Sequence, residues 1–106
     1  MKNKIVFPVF ILKAVFIAML LLISSSFAAD LKLGEKVYKK KCLVCHGEQG
    51  HGGIALKIND PNVLRKTNEE IRKVITEGAN GMPAYQNSLK PEEIDSLLTF
   101  LRSWAK

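Results

Sequence analysis

Cys42, Leu43, Val44, Cys45 and His46 set two thiols and an imidazole within five residues, using both cysteines of the 106-residue chain and one of its two histidines. Thiols and imidazoles act as nucleophiles, redox groups and metal ligands, so chemistry concentrates in this pentapeptide. The C-x-x-C-H spacing is the pattern of c-type haem attachment. Plainer uses exist for the same groups. A Cys42–Cys45 disulfide suits an exported chain in an oxidising compartment. A thioredoxin-like redox pair also uses C-x-x-C, but beside a strand-helix alternation that this sequence lacks. Zinc wants four ligands, and Cys42, Cys45, His46 and His51 are crowded into ten residues.

The chain that must position this motif opens with a segment of different character. Lys2 and Lys4 precede the apolar stretch 5–12, and Lys13 precedes the uninterrupted apolar run 14–23, which ends at Ser24, Ser25 and Ser26. A basic start, an apolar middle and a small-residue end are the layout of a secretory signal. Ser26-Phe27-Ala28 is the best small-x-small match and predicts cleavage after Ala28, making 1–28 a signal peptide and 29–106 the working domain. The rival is an uncleaved anchor that leaves the domain facing the periplasm, because 5–23 nearly reaches the roughly 20 residues that span a bilayer. Lys13 opposes it, since a lysine at the centre of a spanning helix costs roughly 2.5–3.5 kcal/mol. The expectation is export to the periplasm, with no membrane attachment once the signal is gone.

Removing 1–28 leaves 78 residues and takes four of the five phenylalanines, so Tyr38, Tyr85, Phe100 and Trp104 are the remaining aromatics. A core of that size rarely supplies more than about 3–5 kcal/mol without a staple. A covalently held haem is such a staple, an apolar disc that completes the core. Loss of Lys2, Lys4 and Lys13 lowers the formal charge from +6 to +3. That balance, with so few aromatics for stacking, argues against nucleic acid as a partner.

Periodicity predicts an all-α domain. Leu33 to Lys41 reads as a helix running straight into the pentapeptide, with Leu33 and Val37, and Gly34 and Tyr38, four apart. From Gly47 to Leu64 the glycines, Asn59, Asp60 and Pro61 read as loop. Thr67 and Glu70 form a capping box ahead of Ile71, Val74 and Ile75, and Gly78 is a stop, which predicts a helix over about Asn68 to Glu77. Asn80-Gly81, Pro83 and Asn87 mark a second irregular segment. Pro91, Glu92 and Glu93 open a last helix behind a poor cap, Lys90. Its residues Ile94, Leu97, Leu98, Leu101 and Trp104 carry the strongest amphipathic pattern after the leader. That face needs a partner, and the first helix offers one where Gly34 lets a second backbone approach closely and Tyr38 packs beside it.

From Gly34 to Trp104 the chain resembles class I cytochrome c. The resemblance implies the small cytochrome c fold, with N- and C-terminal helices packed on each other around one covalently bound haem c. In that family the two thiols form thioethers to the haem and the histidine ligates iron, roles that fall here on Cys42, Cys45 and His46. Met82, within Asn80-Gly81-Met82-Pro83-Ala84-Tyr85, looks like the family's distal ligand loop, which makes His46 and Met82 the axial pair. A thioether donor favours ferrous iron and raises the potential. With both positions filled the chain is expected to move electrons and not to be an enzyme. Core packing is the plainer use of Met82, and His51 is the competing ligand, though it would have to reach the opposite haem face. One departure stands out: the family's loop commonly has a proline whose carbonyl receives the ligating histidine's hydrogen bond. Leu56 occupies that position, and its carbonyl can serve instead.

The function so implied is a one-electron carrier between redox protein partners; the alternative is the electron-accepting cytochrome subunit of a periplasmic oxidoreductase complex. Lys36, Lys39, Lys40, Lys41, Lys57, Arg65, Lys66 and Lys90 form a candidate rim for an acidic docking surface, against the plainer reading of a solvated face, since consecutive lysines point in different directions.

Overall fold

The computed structural model describes residues 3–105, and among them the side chains of 8–22, 27 and 30–105. Every regular element in that range is a helix: α1 (Asn3–Lys41), α2 (Leu43–His46), a 3-10 turn (Glu48–Gly50), α3 (Pro61–Leu64), α4 (Asn68–Glu77) and α5 (Pro91–Arg102). The all-α expectation holds.

The helix expected from Leu33 instead begins at Asn3. Between Val9 and Leu33 there is neither glycine nor proline, so no residue stops the helix between the apolar N-terminal stretch and the segment that enters the pentapeptide. The cut expected after Ala28 therefore falls inside α1. The Ser26 and Ala28 side chains, and Lys2, lie outside the described residues. No described helix is long and apolar enough to cross a membrane.

The C-terminal part of α1 packs on α5. Val37 and Tyr38 are buried with Ile94, Leu97, Leu98 and Leu101, and Ile71, Ile75 and Leu89 close the core from α4 and the segment before α5. Gly34 makes the approach possible. A Cβ there would stand 2.1 Å from the Ser96 carbonyl oxygen and 2.7 Å from Phe100 Cβ. Just beyond, Tyr38 meets Phe100 and Trp104 with ring centroids 5.6 and 5.2 Å apart, the latter edge-on. Such tilted and edge-on contacts suit the ring quadrupoles.

The capping box of α4 forms as expected, with Thr67 N–H donating to Glu70 Oε2 at 2.7 Å and Glu70 N–H to Thr67 Oγ1 at 3.2 Å. At α5 only the reciprocal half is made, Lys90 N–H donating to Glu93 Oε1 at 3.0 Å, because a lysine side chain has no acceptor. Two features depart from the expected loop over 47–64, the 3-10 turn Glu48–Gly50 and a short helix after it. Pro61–Leu64 is a helical turn, capped where Asp60 Oδ1 accepts from Asn62 N–H at 2.8 Å. Arg102 then spans to its far end, donating to the Leu64 and Lys66 carbonyls and to Asn68 Oδ1. One guanidinium fork thus satisfies carbonyls that helix termini leave unpaired.

The α1–α5 approach gives the first prediction. Gly34→Ala adds about 1 kcal/mol of helix propensity, yet its Cβ meets backbone that cannot rotate away. Overpacking of about 1–3 kcal/mol outweighs the gain, and denaturant unfolding will show a lower midpoint at unchanged slope.

Candidate functional site

The pentapeptide is one tight turn continuing α1. Cys42 N–H donates to the Tyr38 carbonyl at 2.8 Å, and Cys45 and His46 N–H both return to the Cys42 carbonyl at 3.2 and 2.9 Å. This turn leaves Cys42 and His46 buried and Cys45 exposed. Backbone bonds then fold the following loop back onto it, from Gly52 N–H to the His46 carbonyl at 2.7 Å and from Ala55 N–H to the Cys45 carbonyl at 2.8 Å. Tyr38 Oη donates to the Gly47 carbonyl at 2.6 Å.

That loop orients the histidine. His46 Nδ1 lies 3.0 Å from the Leu56 carbonyl oxygen. A carbonyl only accepts, so the contact assigns the proton to Nδ1 and leaves the Nε2 lone pair as the donor toward a metal. The bond expected of Leu56 in place of proline is therefore made.

Both thiols are free. Burial, and secondarily the neighbouring Cys45, push the Cys42 thiol up to about 11. It is a neutral thiol at physiological pH, the opposite of the depressed thiol that a thioredoxin-like pair uses. Among the described residues no three His, Cys, Asp or Glu side chains are grouped to hold a metal ion, so a zinc cluster has no counterpart there. Val44, Ile54 and Leu56 stand exposed around the motif, Ile54 at 84%. Apolar surface beside an oriented imidazole and two thiols fits a flat apolar cofactor that takes a nitrogen donor, as haem does.

Met82, the other candidate ligand, is placed by a different route. Gly78 ends α4 at φ +77, and a Cβ there would come 2.5 Å from the Met82 carbonyl oxygen, so the chain doubles back past a residue without a side chain. Met82 N–H donates to the Ala79 carbonyl at 2.9 Å, and Asn80 and Gly81 have φ of 47 and 89. Two successive positive φ values with this closure are a type I′ turn, for which Asn-Gly is the strongest short signal. Asn80-Gly81 therefore specifies a turn type where only an irregular segment is expected. Met82 is half-buried against the core. Tyr85, three residues on, donates its N–H to the Ile75 carbonyl at 3.0 Å and its hydroxyl to the Lys41 carbonyl at 3.2 Å, next to Cys42. His51 is exposed, at the end of the 3-10 turn.

Of the basic residues, Lys36, Lys39 and Lys40 share one face of α1 with Lys32, around a shallow groove that also holds Glu35. Lys39 Nζ pairs with Glu35 Oε1 at 2.8 Å, an exposed pair worth little to stability.

The family model for cytochrome c oxidase, cbb3-type, subunit III matches residues 29–101. Cytochrome c6 of Porphyra purpurea is 32% identical over 82 residues, 74% of this chain and 74% of that protein. Cytochrome c-555 of Methylococcus capsulatus is 33% identical over 75 residues, 65% of this chain and 58% of that protein. The quinohemoprotein alcohol dehydrogenase ADH IIB of Pseudomonas putida is 30% identical over 78 residues, 70% of this chain but 11% of the enzyme.

The Tyr38 hydroxyl generates the second prediction. Burial and the adjacent Cys42 hold it above the ordinary tyrosine value of 10.0, against a lowering contribution from the Gly50 backbone. A raised folded-state value means a contribution present below about pH 10 and lost as pH climbs through the raised value. Tyr38→Phe leaves the Gly47 carbonyl without this donor and costs about 1 kcal/mol at neutral pH. Urea unfolding of both proteins at neutral and strongly alkaline pH will show the gap between them narrowing at high pH.

Proposed function

The chain belongs to the class I c-type cytochromes, and from that premise we propose that it is an exported monohaem electron carrier, holding one haem c through Cys42 and Cys45 and ligating its iron with His46 and Met82. The observation that carries the reading is the His46 Nδ1–Leu56 carbonyl bond beside the two free thiols. It turns a histidine in a motif into a donor with a fixed tautomer and a free Nε2.

When bound, the haem supplies a one-electron iron couple. The chain's part is placement. Cys42 and Cys45, one buried and one exposed, would hold the cofactor covalently where core meets solvent, which suits electron exchange with another protein. His46 is kept from rotating by the Leu56 carbonyl. Met82 contributes a neutral, soft sulfur that favours the reduced state and raises the potential. With His46 and Met82 both assigned to the iron, a bound haem would supply electron transfer and not substrate binding, so the proposal is a carrier and not an enzyme. Cytochrome c6 of Porphyra purpurea is matched over most of its own length, which supports a free carrier over a subunit of an oxidoreductase complex.

Its partners are then redox proteins. The exposed Lys32, Lys36, Lys39 and Lys40 face suits an acidic docking surface on one of them. Placement in the periplasm rests on the leader 1–28, cleaved after Ala28.

Met82→Ala will lower the reduction potential by on the order of 100 mV and remove the far-red methionine-to-iron band of the oxidised protein. Voltammetry and absorption spectroscopy of the haem-loaded protein read both. An unchanged band would overturn the assignment of Met82.

A further inference from the structure

The Met82 loop is well tied to α4 and barely tied to the haem motif. Its turn is closed on itself through Ala79 and Met82, and Tyr85 and Gln86 donate their N–H groups to the Ile75 and Thr76 carbonyls of α4. Toward α1, the loop is joined among the described residues by one hydrogen bond, from the Tyr85 hydroxyl to the Lys41 carbonyl at 3.2 Å, across 44 residues of sequence. Lys41 is the last residue of α1 and precedes Cys42. Tyr85 is half-buried and packs against the core. Burial first, and then Cys42 and Cys45, raise its phenol.

We propose that the Tyr85 hydroxyl is a positioning group for Met82, fastening the distal loop to the end of the helix that carries Cys42, Cys45 and His46. The proposal rests on the reading of Met82 as axial ligand. With Met82 holding the iron, release of its sulfur would carry the loop away from α1, and Tyr85, three residues from Met82, would move with it. The hydroxyl–carbonyl bond therefore exists in the closed arrangement and is lost in the open one. A group that stabilises one of two states shifts their ratio by its own free energy. Lys41 is positioned by α1, whose packing on α5 does not involve the loop, so the anchor stays put when the loop moves.

The test uses the haem-loaded, oxidised protein and imidazole as the competing iron ligand, followed through loss of the far-red band. Imidazole binds after the loop opens, so its apparent affinity reports the open fraction. Tyr85→Phe keeps the ring and removes the bond; with a single long, partly exposed hydrogen bond at stake, imidazole affinity should rise about two- to five-fold. Tyr38→Phe is the control, because it also removes a hydroxyl–carbonyl bond, but on the Gly47 side of the motif. It should lower stability and leave imidazole affinity at the wild-type value. Equal affinities in wild type and Tyr85→Phe, with the band present in both, would overturn the tyrosine's role while leaving the ligand assignment standing. An equal rise in both variants would overturn it too, by showing general loosening. Absence of the band from the wild type would instead sink the Met82 reading itself.

Discussion

The contact between α1 and α5 at Gly34 is the constraint from which the rest of the molecule follows. The α5 backbone at Ser96 comes so close that no side chain fits at Gly34, and this fixes the rotation of α1 about its axis. Tyr38, one turn further along, is thereby driven between Phe100 and Trp104, and its hydroxyl is aimed at the Gly47 carbonyl. One more turn brings Cys42 to the edge of the core. Of the four aromatic residues in 29–106, three are spent on this junction. The start of the haem motif is thus positioned by the densest packing the domain has.

The two halves of the proposed site are built on different principles. The half carrying Cys42, Cys45 and His46 continues a long helix and inherits its rigidity. The half carrying Met82 hangs from α4 by a glycine stop, a type I′ turn and backbone bonds, and owes its position to turn geometry more than to burial. Arg102 matters here indirectly. By gripping the Leu64 and Lys66 carbonyls and Asn68 it fixes the start of α4 to α5, and Arg72 pairs with Asp95 between the same helices at 2.5 Å. The frame from which the Met82 loop hangs is therefore tied to the helix that also holds α1.

What was legible in the sequence divides along the same line. Features governed by local rules were readable: the capping box and glycine stop set α4 at Asn68–Glu77, the apolar spacing set the buried face of α5, and Gly34 marked the crossing. Leu56 as partner of His46 was readable because the requirement is for a backbone carbonyl at a given distance along the loop. The start of α1 is not legible, because the change in composition near residue 28 reads as a boundary although no helix breaker lies there. The Pro61–Leu64 turn had a signal, Asp60 ahead of Pro61, that was outweighed by the surrounding glycines. Arg102 and Tyr85 had none. Their partners are carbonyls 38 and 44 residues away, and a backbone carbonyl leaves no mark in a sequence.

That same anonymity explains how leucine can replace proline at position 56. The chemistry needs an acceptor for His46 Nδ1, and every residue carries one. Proline would add stiffness, worth about 0.4–1 kcal/mol through fewer unfolded conformations. The loop obtains stiffness differently, from Gly52 and Ala55 N–H bonding the His46 and Cys45 carbonyls and from Ile58 and Asn59 N–H converging on the Gly50 carbonyl, all between 2.7 and 2.9 Å. These bonds bracket Leu56 on both sides. Its carbonyl is held by its neighbours' backbone, so the side chain at 56 is free to contribute apolar surface beside the haem motif.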